Sequence, residues 1–167
     1  MGNRGITSSF QIISCKVDKI ELAMKDSSGI LQKSNFPLED WAFGVALRVP
    51  QYAPKEKVYL VGLDVKVIHG DKDEPEVKLE AGISGLFKVM GDEFSSDTES
   101  KIAKIQFPTI LFPYVRAAVT NILASAGYGS VVLPLVNINV LAENQLKDVE
   151  IIRIEEEQPD EQGAVEK

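Results

Sequence analysis

Two long stretches of alternating apolar and polar residues, joined by one turn, occupy the middle of the chain. Residues 57–69 read KVYLVGLDVKVIH, and residues 76–90 read EVKLEAGISGLFKVM. An apolar residue at every second position is typical of a strand that buries one face. The GDKDEP stretch between them (70–75) is rich in turn-forming residues. The pattern therefore predicts an antiparallel hairpin whose apolar face the rest of the chain must cover.

Two further strands are predicted before the hairpin. Residues 43–49 (FGVALRV) alternate in the same way. Residues 10–24 (FQIISCKVDKIELAM) also alternate, but their apolar residues change parity between Val17 and Ile20. One extra residue near Asp18 would restore a common apolar face, so we predict a β-bulge there.

Helical spacing appears in the C-terminal half. Residues 114–126 carry apolar side chains at intervals of three and four, and Gly127 is suited to end a helix. Residues 136–147 predict a second, shorter helix with Asn137 as its N-cap. Strands followed by helices indicate an α+β fold. The four predicted strands would form one sheet, covered on one face by a long and a short helix.

Two Phe-Pro pairs precede the longer predicted helix, in the stretch FPTILFPYVR (107–116). Inside a helix, proline removes a backbone donor and clashes with the preceding turn, at a cost of about 3 kcal/mol or more. At the first helical position proline is tolerated, because its missing N–H would be unpaired anyway. Either the helix begins near Pro113, or an earlier turn that contains Pro108 kinks into it.

The charge of the chain is concentrated at its C-terminus. The net charge is −7, and the last thirteen residues, EEEQPDEQGAVEK, hold six acids against Lys167, a balance of −5. We expect a disordered acidic tail over 155–167, a flexible N-terminus over 1–8 and one folded domain over 9–154. Nucleic acid is not expected as a partner, because phosphate binding needs clustered Lys and Arg.

Composition also weighs against membrane insertion, metal binding and catalysis. We find no apolar run of the length that a membrane span requires and no N-terminal signal region, so we expect a cytoplasmic protein. Cys15 and His69 are the only cysteine and histidine, too few for a zinc site or an evident nucleophile–base pair. The acidic turn at 71–74 lacks the spacing of a calcium loop. No cofactor is expected.

Apolar residues also occur where regular elements do not account for them. Residues 25–41 (KDSSGILQKSNFPLEDW) are loop-like but too apolar for a solvated linker. A second such stretch, LPLV (133–136), follows the predicted long helix. Together these segments suggest a groove or an oligomer contact.

The stretch ILFPYVRAAVTNILASAGYGSVVLPLVNINVL (110–141) resembles the SecB family of protein-export chaperones. That family has an ILFPYAR-type helix start, a glycine-containing loop and an L-P-V-N-F-type entry to a second helix, in this order. Ser9–Ile12 is similar to its first strand, Asp40-Trp41 to its crossover loop, and Gly85-Leu86-Phe87 to the end of its third or fourth strand. The resemblance covers roughly residues 9–146.

The resemblance implies an ATP-independent holdase that binds unfolded precursor proteins and passes them to the export ATPase SecA. It implies a four-stranded antiparallel sheet with a long and a short helix on one face. It also implies a homo-tetramer, a dimer of dimers assembled through helix and strand packing, in which clients lie in hydrophobic grooves. The positions that would line the groove are Phe36, Trp41, Phe87, Leu133, Leu135 and Leu141. The motif expected to start the helix and to serve the oligomer is Phe112, Pro113, Tyr114 and Arg116.

An acidic surface on the sheet docks the ATPase in that family. Glu80 falls where one such acid is expected, whereas Lys19 and Ala23 fall where the first strand would carry others. Asp18 and Glu21 lie next to these positions and could substitute if the bulge shifts them. Two alternatives therefore stay open: a SecB-like chaperone of a toxin–antitoxin system, and a non-chaperone scaffold with the same fold.

Overall fold

The computed structural model describes residues 8–25 and 35–155. Apart from Ser8 and Glu155, the predicted N-terminal segment 1–8 and tail 155–167 lie outside the described residues, as does the middle of the apolar loop 25–41. The strands are β1 (Phe10–Met24), β2 (Trp41–Leu47), β3 (Gln51–Ala53), β4 (Val58–Gly70), β5 (Pro75–Val89) and β6 (Ile152–Arg153), and the helices are α1 (Ser96–Ser125) and α2 (Ile138–Leu146).

The strands form one mixed sheet. Strand β4 lies at its centre, with β5 and then β1 on one side. On the other side β2 pairs with the C-terminal half of β4 and β3 with its N-terminal end, so that the two follow one another along the same edge. Strand β6 adds to β3 in the parallel direction. The α+β class and the antiparallel hairpin β4–β5 are confirmed.

The predicted count of four antiparallel strands is wrong, because the sheet has six strands of mixed direction. Strand β3 has three residues and lies between Pro50 and Pro54. Because proline is uncommon within strands, this stretch does not look like a strand in the sequence. Strand β6 has two residues and pairs only because the chain returns to the sheet after α2. Neither is long enough to show a period of two.

The predicted bulge in β1 is confirmed. Val17 pairs with Ile83 and Lys19 pairs with Gly82, so Asp18 has no partner in the register. The irregularity returns Ile20 to the face that Val17 occupies, as the parity change required. A second register shift, at Ile13, was not predicted.

Helix α1 begins at Ser96, ahead of both prolines, so of the two alternatives the start near Pro113 is wrong and an earlier helical segment precedes it. A π-helical segment, Ile102–Gln106, precedes Pro108, and the Phe107 N–H donates to the carbonyl five residues back. This wider turn lies directly before the proline that would disturb an α-helical turn. Pro113 lies inside the helix on its exposed side.

The buried face of α1 explains why the helix continues through Pro113. Five side chains on this face are fully buried: Phe107, Leu111, Val115, Val119 and Leu123. Burying each apolar side chain contributes about 1.5–3 kcal/mol, so together they outweigh one proline. An 18-residue window of the helix reaches a mean hydropathy of 1.2, so by length and composition the helix could cross a bilayer. In this fold its apolar face packs on β4 and β5.

Helix α2 forms where the sequence predicts it. The Asn137 side chain accepts a hydrogen bond from the Val140 N–H at 3.3 Å, which confirms the N-cap. The helix buries Ile138, Ala142 and Leu146 and packs beside β2 and the π-helical segment of α1. This packing places α2 at the outward edge of β2.

Candidate functional site along strand β2

The segment from Tyr128 to Gln145 runs along the outward edge of β2. At the start of the strand, the rings of Tyr128 and Trp41 lie 5.7 Å apart, edge to face. At its end, Gln145 Oε1 accepts a hydrogen bond from the Leu47 N–H at 2.7 Å. Seven residues of strand span about 20 Å. We interpret the strip between β2 and this segment, which comprises the loop after α1 and helix α2, as a candidate groove.

Gln145 takes the place of a neighbouring strand at one end of this edge. Besides the bond to Leu47, its Nε2 donates to the Val45 carbonyl at 3.1 Å. Phe43 has the same parity as these two residues, so its N–H and C=O point to the same edge. Within the described ranges, β2 pairs with β4 and with no other strand. The edge at Phe43 therefore resembles an open strand edge, half-buried beside an apolar wall.

An aromatic cluster closes the other end of the groove. It consists of Phe36, Trp41, His69 and Tyr128, with ring centroids 4.7 to 5.8 Å apart in the contacting pairs. His69 Nδ1 lies 3.0 Å from Glu76 Oε2, which fixes the imidazole at the base of the cluster. Trp41, His69 and Tyr128 are buried, whereas Phe36 is half-buried.

The predicted groove residues separate into three groups. Phe36 and Trp41 belong to the aromatic cluster. Leu135 is 83% exposed on the loop after α1, and Leu141 is half-buried on α2. Phe87 and Leu133 are buried in the core, where Phe87 stacks on Phe107 at 4.0 Å. Phe87 and Leu133 therefore do not lie on the accessible surface of the groove.

Several residues of this region were missed by the sequence analysis. Gln145 gave no signal, because a glutamine on a short helix is usually solvated. Tyr128 lies between Gly127 and Gly129, both with positive φ (95° and 71°), and this tight turn could have marked it. The remaining missed residues are exposed apolar side chains: Leu38, Val132 and Val140.

The motif in α1 positions the groove wall. The Arg116 Nε donates to the Leu133 carbonyl at 2.8 Å and so ties the loop after α1 to the helix. Phe112 is buried in the core, and Pro113 and Tyr114 are exposed. Arg116 therefore holds the segment that carries Leu135, and no residue of the motif starts the helix.

An ion-pair network crosses the sheet on the face opposite α1. Arg48 contacts Asp18 Oδ2 at 2.7 Å and Asp64 Oδ1 at 2.6 Å, and its Nη1 donates to Ser84 Oγ at 2.9 Å. The hydrogen bond from Arg48 lowers the pKa of Asp18 to about 2. The bulged residue of β1 is thus clamped to β4 and β5, and its carboxylate is ion-paired with Arg48, which it shares with Asp64.

Glu80, on the same face, is neutralised. Lys19 Nζ lies 2.7 Å and Lys78 Nζ 2.8 Å from its carboxylate, and the hydrogen bonds from Lys19 and then Lys78 lower the pKa of Glu80 to about 2. Glu21 is the most accessible of the three expected docking acids, with a side chain 70% exposed and 3.9 Å from Lys19. Asp18 and Glu80 are therefore held in close ion pairs by basic groups of the chain itself, whereas Glu21 makes only a longer one.

Strand β1 leaves an apolar surface uncovered. Among the described residues it pairs with β5 and with no strand on its other side. Ile13, Ile20 and Met24 are each at least half exposed. An unpaired strand edge with exposed aliphatic side chains is suited to association with another chain.

Cys15 and His69 are far apart in the sheet. Cys15 pairs with Gly85 and His69 with Val77, eight residues away along β5, a separation of more than about 20 Å. They do not form a nucleophile–base pair. Within residues 8–25 and 35–155, no three His, Cys, Asp or Glu side chains are grouped so as to hold a metal ion.

Comparison with known proteins identifies the family. The chain matches the family described as preprotein translocase subunit SecB over residues 5–149. It is 34% identical over 83 residues to an uncharacterized protein of Methanocaldococcus jannaschii (48% of this chain, 52% of the relative) and 28% identical over 92 residues to the protein-export protein SecB of Anaplasma phagocytophilum (54% and 58%). The match thus spans little more than half the length of these two relatives.

A longer match is found with the protein-export protein SecB of an Acidovorax species, 27% identical over 139 residues (83% of this chain, 89% of the relative). In structure, the chain is similar to the SecB-like chaperone of Mycobacterium tuberculosis, which was solved with a peptide from the HigA1 antitoxin. That match has a TM-score of 0.58 and 12% identity, covers 77% of this chain and 88% of the other, and shows a shared fold. The match to the family over residues 5–149 decides the assignment, and the chain belongs to the SecB family.

Proposed function

We propose that this protein is an ATP-independent holdase chaperone, which binds unfolded polypeptides and keeps precursors competent for export from the cytoplasm. The observation that carries the proposal is the open edge of β2 and the apolar segment beside it, which together form the candidate groove. It combines exposed apolar side chains, Leu135 above all, with a strand edge that has no neighbour among the described residues at Phe43.

The groove offers an unfolded chain the two contacts that it lacks in water. Apolar client side chains are buried against the wall at about 25 cal/mol per Å². Client N–H and C=O groups pair with the β2 edge at Phe43, as in strand addition to a sheet. Neither contact reads a defined sequence, so many different unfolded chains are accepted. A folded protein is rejected, because its apolar residues and backbone groups are already satisfied.

Assembly into a homo-tetramer raises the affinity for long clients. We propose that the copies associate through β1, whose exposed Ile13, Ile20 and Met24 would be covered in the assembly. Several grooves on one assembly, each of low affinity, then bind one long client tightly, because binding to the first groove raises the effective concentration of the client at the others. Ile20→Glu is expected to shift the assembly toward smaller species in sedimentation, and an unchanged mass would exclude this face of β1 from the contact.

A second candidate is supported by the ion pairs on the outer face of the sheet. A basic site on SecA would have to displace Lys19 and Lys78 from Glu80, and Arg48 from Asp18. This cost favours a chaperone whose client is the antitoxin of a toxin–antitoxin system and which has no need of SecA. The closed aromatic cluster supports a third candidate, a scaffold whose groove is filled by its own side chains.

Equilibrium binding tests the proposal. The protein is titrated with a reduced, unfolded secretory precursor and with the same precursor folded, both in buffer free of ATP. The holdase is expected to bind the unfolded chain alone and to do so without nucleotide. Equal binding of both forms, or no binding of either, would overturn the proposal, and the second result would favour the scaffold. Addition of SecA to the complex then separates export from antitoxin binding, because only an export chaperone transfers its client.

A further inference from the structure

Two buried hydrogen-bond donors in the aromatic cluster have no acceptor among residues 8–25 and 35–155. Trp41 is 5% exposed and Tyr128 is 2% exposed. In the described part of the chain, the Trp41 Nε1 and the Tyr128 Oη are the two buried side-chain polar atoms without a hydrogen-bond partner. Such groups are rare in native proteins, since an unpaired buried donor destabilises the fold. Two of them on neighbouring rings point to an acceptor that arrives from outside.

The cluster is built so that Tyr128, the ring beside Trp41, becomes accessible when one ring moves. Trp41 and His69 lie on paired strands, β2 and β4, and Tyr128 is the most deeply buried ring of the four. Phe36 packs edge-on against Tyr128 at 5.0 Å, is half-buried and belongs to no strand or helix. Displacement of Phe36 by an apolar client side chain would therefore uncover Tyr128 while the strands stay in place.

The chemistry of the donors restricts the ligand. The indole N–H of Trp41 can only donate. Burial, and then the charge of Glu76, raise the pKa of Tyr128, so its hydroxyl keeps its proton and is available as a donor. The ligand must therefore supply oxygen acceptors. A carboxylate is disfavoured, because Glu76 lies 3.0 Å from His69 at the base of the same cluster. A neutral carbonyl fits both conditions.

We propose that Trp41 and Tyr128 bind main-chain carbonyl groups of the client, one at each donor, when the client enters the aromatic end of the groove. The proposal rests on the proposed function and adds the chemistry by which the client is recognised. Every residue of an unfolded chain presents a neutral main-chain carbonyl, so these contacts are compatible with clients of any sequence. The free protein bears the cost of two unpaired donors, and client binding relieves it.

The Tyr128→Phe substitution tests the proposal, because it removes the hydroxyl and keeps the ring. It is expected to raise the midpoint of thermal unfolding of the free protein while it weakens binding of the unfolded precursor by about threefold to tenfold. The matched control is Tyr52→Phe, which removes a hydroxyl that donates to Glu93 at 2.8 Å; Tyr52 pairs with Tyr59, ten residues along β4 from the His69 of the aromatic cluster. This control is expected to lower stability and to leave the affinity unchanged.

A second measurement uses the single tryptophan of the chain. Its indole N–H gives one resonance, which is expected to move downfield when a short uncharged segment of the unfolded precursor is added. A wild-type protein that does not bind the precursor would refute the proposed function. Binding by the wild type with an unchanged affinity in Tyr128→Phe, with both stability and affinity lowered in that variant, or with an unmoved indole resonance, would overturn this inference alone.

Discussion

The guanidinium group of Arg48 lies directly over Gly82, in the space that a β-carbon at position 82 would occupy. From this position it reaches Asp18 on β1 and Asp64 on β4 across the intervening strand β5. Because Asp18 is the bulged residue, the same contact that pairs its carboxylate with Arg48 also fixes the register of β1.

We predict that Gly82→Ala destabilises the protein by about 1–3 kcal/mol, because the added methyl displaces Arg48 and breaks its ion pairs. The measurement is the free energy of unfolding in urea. The matched control is Gly44→Ala on β2, where an added β-carbon meets nothing within 4 Å. Equal effects of the two substitutions would show that loss of glycine, and not displacement of Arg48, is responsible.

The ion pairs of the outer face predict a stability that depends on acid pH. The pKa values of Asp18 and Glu80 are both lowered to about 2 in the folded protein, from about 4 in the unfolded chain. A lowered pKa stabilises the fold above the unfolded value, and this contribution is lost as the pH falls through the folded value. We therefore expect the urea midpoint to be constant above about pH 4 and to fall between about pH 4 and pH 2.

The Arg48→Met substitution distinguishes the contributions of Asp18 and Glu80 to this pH dependence. It removes the partner of Asp18 and leaves Lys19 and Lys78 beside Glu80, so part of the acid-dependent slope should disappear and part should remain. A variant with the full slope of the wild type would contradict the assignment of the Asp18 pKa to Arg48.

Gln145→Ala is expected to loosen helix α2 from strand β2. It leaves the Leu47 N–H and the Val45 C=O without their partner, at a cost of about 1–3 kcal/mol if they stay buried. Hydrogen exchange at Leu47 should accelerate in the variant. The neighbouring Asn144→Ala, at an exposed position of the same helix, should leave that exchange rate as it is. Slow exchange at Leu47 in the Gln145 variant would mean that another group protects it.

Leu135→Ser is expected to weaken binding of an unfolded precursor without changing stability, because Leu135 is 83% exposed in the free protein. Trp41→Ala is a poorer test, since it would leave a cavity and cost about 3–5 kcal/mol of stability. The dissociation constant is compared with that of Met90→Ser, which removes an equally apolar side chain, 54% exposed at the end of β5. Equal affinities of the two variants would show that Leu135 does not belong to the client-binding surface.

The sequence predicts well those elements that are long enough for an apolar pattern to repeat several times, or that carry a specific capping residue. The hairpin β4–β5, strand β1 with its bulge at Asp18, and helix α2 with its Asn137 cap all follow from local patterns. Strand β3 and strand β6 are too short to carry a pattern. The sequence leaves the start of α1 open between Pro113 and an earlier turn, because the buried face that compensates for the cost of Pro113 is not evident from the sequence.

The candidate site was harder to predict, because the burial of a side chain depends on the tertiary structure and not on the local sequence. Phe87 and Leu135 are both large apolar residues that the sequence analysis assigned to the groove. Phe87 is fully buried against Phe107, whereas Leu135 is 83% exposed. The neutralisation of Glu80 depends on Lys19, which is 61 residues away in the chain. The bond from Gln145 to Leu47 spans 98 residues. No local pattern reports contacts of this range.

Hydrogen exchange of the protein with and without an unfolded precursor tests the central claim most directly. If the client lies along β2, its binding slows exchange at the Phe43 amide and over residues 128–141, while exchange on the outer face at residues 78–84 stays unchanged. Slowed exchange on β1 or on the outer face alone, with Phe43 unaffected, would show that the client binds elsewhere and would contradict the account.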